Sequence, residues 1–111
     1  MITLTVILLS GCEKNNSDIN KTLLGTWIST DLVDTIEFTT DKDFYKRIYS
    51  IKDHFDYSLK QDSITMRYNG VLYIYVLPTT HKYKINGDLL TIDFRPHCYG
   101  FREQEIQFKK K

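Results

Sequence analysis

From about residue 26 to residue 109 the chain alternates apolar and polar side chains with a period of two, the spacing that puts successive residues on opposite faces of a sheet. Apolar positions fall at Ile36 and Phe38, at Phe55, Tyr57 and Leu59, at Ile64, Met66 and Tyr68, at Leu90, Ile92 and Phe94, and at Ile106 and Phe108. The opposite parity carries Glu37, Ser58, Lys60, Thr65, Arg67, Thr91, Asp93 and Gln107, so one face of each strand is dry and the other wet. The pattern predicts strands at 26–30, 34–39, 43–51, 55–60, 63–68, 71–77, 82–85, 89–94 and 103–109. Asn69-Gly70 and Asn86-Gly87 are read as tight hairpin turns, because a type I′ turn needs positive φ at both central residues. Looser polar turns are expected at 40–43 and 60–62, and Lys52-Asp53-His54 reads as a solvated turn between strands.

The segment Val71 to Leu77 departs from the rule by being apolar at both parities. Its outer face must be covered by another segment or lie exposed as a patch built on Tyr73 and Tyr75. Ahead of the strands, Ile19, Leu23 and Leu24 share one face of a short helical turn, with Ser17 or Asp18 as its cap and Gly25 placed to end it. A run of hairpins with one apolar face must close on itself or fold into two layers, and an up-and-down barrel of eight or nine short strands is the simplest closure. Composition agrees with this all-β reading: eight Tyr, six Phe and many Ile and Thr favour a pleated sheet, and the best helix former, Ala, is absent.

The amino terminus has a different character. Ile2 to Leu9 is uncharged and largely apolar, too short to span a bilayer core, which needs ~20 residues of helix. It is followed by Leu9-Ser10-Gly11-Cys12, which resembles the bacterial lipobox, in which the cysteine receives a diacylglyceryl group and becomes the new amino terminus. The resemblance implies a signal peptide over 1–11 and a mature chain held at a membrane by several palmitate-type acyl chains on Cys12, enough for stable attachment. Residues 12–20 are polar and are expected to form a flexible tether, leaving 21–111 as a single folded domain. Lipidation would leave Cys98 without an intramolecular partner; without it, a Cys12–Cys98 disulfide is the alternative.

Leu24-Gly25-Thr26-Trp27 resembles the Gly-x-Trp signature that opens the first strand of lipocalins and of small lipocalin-like domains in lipoproteins of the Bacteroidota. The stretches 36–41 and 83–92 are similar to the turn-and-strand pattern of the second group. The resemblance implies a lipocalin-like (calycin-like) barrel whose floor is closed by Trp27 with a basic side chain of the last strand across its ring. Lys110, in phase with Ile106 and Phe108, is the nearest match, although Lys stacks less well than Arg. Such a barrel is only just wide enough for its own bulky side chains, so a roomy cavity is not expected.

Fifteen basic against fourteen acidic side chains leave a net charge of +1, which disfavours nucleic acid as a partner. No phosphate-binding loop, metal-ligand spacing or nucleophile–base motif is present, so neither an enzyme nor a cofactor or metal is expected. His97-Cys98, in the longest irregular stretch, reads as a packed thiol beside a surface imidazole, and His54 and His81 as solvated. Contact with a small apolar ligand or a protein is expected at Tyr73, Tyr75, His97 and Tyr99, on a monomeric, non-catalytic lipoprotein of the cell envelope. The outer membrane of a Gram-negative bacterium is the expected site, and an accessory or inhibitor role by protein–protein contact is the alternative.

Overall fold

The computed structural model describes residues 21–48, 50–72 and 74–111. The leader, Cys12, the tether and Tyr73 lie outside them. Eight strands form one closed antiparallel barrel: β1 (Gly25–Ser29), β2 (Thr35–Phe38), β3 (Asp43–Ile48), β4 (Ile51–Lys60), β5 (Ser63–Tyr68), β6 (Thr79–Asn86), β7 (Leu89–Asp93) and β8 (Glu105–Lys110). Each strand pairs with the next, and β8 returns to β1 through Trp27 opposite Lys110. Closure removes the free edges that an eight-stranded open sheet would expose.

The alternation read from the sequence decides what lies inside. Trp27, Ile36, Phe38, Phe44, Phe55, Ile64, Met66, Leu90, Ile92, Phe94 and Phe108 are fully buried and fill the interior. Phe44 and Phe55, opposite each other on β3 and β4, stack at 4.8 Å between centroids with planes 9° apart, and Tyr57 meets Phe38 edge-on at 5.0 Å. These rings occupy the space that a wider barrel would leave for a ligand.

Because successive strands run in opposite directions, the connections fall into two sets. The floor carries the β2–β3, β4–β5 and β6–β7 turns, residues 21–24 and the end of β8; the mouth carries the other four connections. At the floor, residues 21–23 form the last part of the expected helical turn. The Trp27 Nε1 donates to the Leu23 carbonyl at 2.8 Å, Lys110 Nζ lies 5.4 Å from the Trp27 ring centroid, and the same ammonium donates to the Thr22 carbonyl at 2.6 Å.

Three sequence expectations are corrected. Lys52-Asp53-His54 is not a turn: Ile48 lies opposite Ile51, so the chain has already reversed before Lys52, and β4 runs unbroken for ten residues. Asp53 shares the inward parity of Phe55 and Tyr57 and is 2% exposed, tolerated because Tyr68 Oη donates to it at 2.8 Å. Residues 71–72 and 74–77 are not in a strand, and no hairpin closes on Asn69-Gly70. The β5–β6 ladder ends at Met66 opposite Thr79, and the intervening chain, apolar at both parities, has no face to turn inward. Finally, Asn86 pairs with Leu89, so the tight turn is Gly87-Asp88, with positive φ at Gly87 alone. Positive φ at only the first central residue needs one glycine, which the chain supplies there.

Candidate interaction surface at the barrel mouth

The mouth is closed by the β7–β8 connection, residues 94–104, which folds back into the barrel rather than lying over it. Phe101 stacks on Phe94 at 4.1 Å with planes 8° apart and leans on Phe44 and Phe55. Gly100, at φ +87, lets the chain turn here, and a β-carbon would also collide with Ile48. Lys46 Nζ sits 5.1 Å from the Phe101 ring centroid and 3.1 Å from Asp34.

Asp34 is the hub of a charged layer under this plug, buried at Asp34 and Lys46 and open to solvent at Arg102 and Asp31. Its second oxygen receives Arg102 Nε at 3.0 Å and Nη2 at 2.6 Å, while Arg102 Nη1 reaches Asp31 at 2.8 Å. The guanidinium, and then the Ser29 hydroxyl, hold the Asp31 carboxyl far below the usual carboxylate range. Lys46 and Asp53 enter this layer from the inward parity of β3 and β4, directly opposite each other. That parity is visible in the sequence, since Lys46 lies between Phe44 and Ile48 and Asp53 precedes Phe55 by two; reading charged residues as outward obscured it.

His81 is the other correction. It is 1% exposed rather than solvated, and burial lowers its pKa. Its Nδ1 faces the Asp93 carbonyl at 3.1 Å and so carries the proton, leaving Nε2 to accept from the Thr79 hydroxyl at 2.7 Å. Cys98, also buried, shares a hydrogen bond with Thr79, and burial pushes its thiol up. The imidazole within reach of Cys98 is therefore His81 through Thr79, while His97 faces solvent 3.9 Å from Glu103. Both His81 and Cys98 are held towards their neutral forms, opposite to what a thiolate–imidazolium pair requires.

On the outer wall, Asp43, His54 and Asp56 bring three possible ligand atoms within 4.8 Å. His54 Nε2 lies 2.7 Å from Asp43 and 3.6 Å from Asp56. The carboxylates are already engaged, Asp43 by the Thr40 hydroxyl at 2.7 Å and Asp56 by Arg67, whose charge opposes a bound cation. The arrangement is a hydrogen-bond and salt-bridge network across β3, β4 and β5.

Around the plug stands an apolar rim. Leu32 and Val33 in the β1–β2 connection, Ile51 at the start of β4, and Val71, Leu72, Ile74, Tyr75 and Leu77 in the β5–β6 connection are all exposed. Of the exposed large apolar side chains among the described residues, only Leu24 lies at the floor. Leu32, 81% exposed, is in the left-handed region at φ +64, fixed there by bonds from its neighbours to the Ser29 hydroxyl and Asp31 carboxylate. Tyr75, 88% exposed, borders a shallow groove of about 420 Å³ with Val76, Leu77, Thr79, His97 and Tyr99. Three of the four contact residues named from the sequence, Tyr75, His97 and Tyr99, thus meet in one groove; Leu32 and Val33 were missed, because two apolar residues in a loop carry no periodicity.

Comparison with protein-family models, with curated proteins and with solved structures returns no match.

Proposed function

We propose that this protein is a non-catalytic, lipid-anchored module of the bacterial cell envelope that engages a protein partner through the apolar rim of its barrel mouth. The observation that carries the reading is the gathering of exposed Leu, Val, Ile and Tyr side chains on three mouth connections around a filled and plugged interior. Exposed apolar side chains scattered singly are ordinary, but a group confined to one end marks an interaction surface. Its spread over three connections exceeds what a small ligand covers and fits a protein. The strained backbone at Leu32, which holds an apolar side chain out into water, agrees with that use. Anchoring rests on the lipobox-like Leu9-Ser10-Gly11-Cys12.

A photo-crosslinking residue in place of Tyr75, in the full-length chain in cells, is expected to yield one discrete protein adduct, and the same residue in place of Lys84 none. Leu32→Asp should abolish the adduct, and Tyr75→Ala should weaken a purified complex at least about tenfold, as for an exposed aromatic anchor. Equal labelling from both positions, or survival of the adduct in Leu32→Asp, would refute the rim as the contact surface.

A further inference from the structure

The charges of this nearly neutral chain are sorted along the barrel axis. Lys21 precedes β1, Lys42 and Lys60 flank the β2–β3 and β4–β5 turns, and Lys82 and Lys84 lie on the outer face of β6 as it descends. Lys109, Lys110 and Lys111 end the chain beside them. None of these eight lysines forms an ion pair among the described residues, and all but Lys110 are exposed. Carboxylates at this end are Glu37, Asp41, Asp43, Asp62 and Asp88, of which Glu37 is paired with Lys52 and Asp43 is bound to His54, and the groove lined by Lys82 and Lys84 also holds Asp93 and Glu105.

The mouth half is the reverse. Lys46, Lys52, Arg67, Arg95 and Arg102 are each paired with a carboxylate, and Arg47 is bound to the Ser50 carbonyl. Arg47 apart, the cations without a carboxylate partner among the described residues lie toward the floor, the end at which the chain preceding residue 21 joins the barrel.

We infer that the floor is a docking surface for the anionic headgroups of a lipid bilayer, and that it seats the barrel with its mouth pointing away from the membrane. A cluster of four to eight lysines is the size that recognises anionic lipid, each lysine near the surface contributing about fivefold in partition. Residues 109–111 alone fall short of that number; folding brings the other five lysines to the same end. Compact, strongly hydrated ammonium groups on flexible stems suit a diffuse layer of phosphates, whereas the fixed forks of Arg stay in the paired network at the mouth. The inference does not depend on the rim being a protein contact, nor on lipid at Cys12.

The test uses the full chain carrying Cys12→Ala, so that no acyl chain contributes, and measures co-sedimentation with vesicles of phosphatidylcholine alone or mixed with phosphatidylglycerol. Binding is expected only to the mixed vesicles, and should be lost on raising ionic strength from about 0.15 M to about 1 M, where the screening length falls from about 8 Å to about 3 Å. Lys21→Glu with Lys109→Glu and Lys111→Glu should reduce partition at least ~100-fold with an unchanged melting profile. Arg47→Glu, at the other end, should leave partition unchanged. Equal binding to neutral vesicles, equal loss with Arg47→Glu, or duplex DNA held as tightly as the mixed vesicles would overturn the assignment to a lipid surface. The crosslinking experiment at Tyr75 is read separately, so failure here leaves the rim untouched.

Discussion

The two ends of this barrel are closed by different means. At the floor one large aromatic, Trp27, is covered by a single turn of chain and by the Lys110 ammonium, its ring N–H bonded to the Leu23 carbonyl just before β1 and its ring facing Lys110 at the end of β8. At the mouth a long connection inserts Phe101 and ties it down with a charged layer in which Asp34 holds both Lys46 and Arg102. The floor is closed by burial and the mouth by burial plus paired charge. A hydrophobic closure is indifferent to pH, and one that depends on buried ionisable groups is not.

The strongest way to break the comparison is to remove each closure. Trp27→Ala deletes the largest fully buried side chain, its bond to Leu23 and the seat of Lys110. It should destabilise the domain by about 3 to 5 kcal/mol in urea titration, the range for aromatic truncation in a core. Asp34→Asn leaves the Lys46 charge and the Arg102 fork facing a neutral amide in a site where Lys46 is almost wholly buried. Breaking a buried pair from one side is costly because the remaining charge stays desolvated, and a loss of about 3 kcal/mol is expected. Hydrogen exchange separates the two variants: protection should fall first around residues 21–28 in Trp27→Ala, and first around 94–104 in Asp34→Asn.

What the sequence disclosed follows the same division. The floor was legible through a resemblance: Leu24-Gly25-Thr26-Trp27 resembles the Gly-x-Trp opening of a lipocalin-like first strand, and Lys110, in phase with Ile106 and Phe108, was the nearest match for the basic side chain expected across that ring. So was the all-β barrel, since a period of two with turn residues between runs leaves few other closures. At the mouth Tyr75, His97 and Tyr99 were named from the sequence, but the charged layer was not legible, because it is made by residues far apart in sequence, such as Asp34 with Arg102 and Asp53 with Tyr68. Asp53 and His81 were read as solvated by type, although both side chains are buried in the barrel. The run at 71–77 has strong β propensity and nevertheless its described residues, 71–72 and 74–77, form no ladder, because propensity reflects fit to a half-buried surface and this run has two apolar faces.

A smaller effect sharpens the contrast without removing a side chain from the core. His81 is buried under the mouth with its Nδ1 proton on the Asp93 carbonyl and its Nε2 accepting from Thr79, an arrangement only the neutral ring can make. Its pKa is lowered from 6.5 by burial, so between the folded pKa and about 6.5 the unfolded chain binds a proton that the native state does not. Stability therefore rises with pH across that window and falls on acidification below 6.5, with a slope of at most about 1.4 kcal/mol per pH unit. His81→Gln, which cannot titrate, should flatten the slope of unfolding free energy between pH 7 and pH 5.5 even if it lowers stability at both. The loss should appear as faster exchange near β6 and the 94–104 connection while residues 21–28 stay protected. Uniform loosening of both ends on acidification would show that the two closures are one cooperative unit, and that the division drawn between them holds for structure but not for stability.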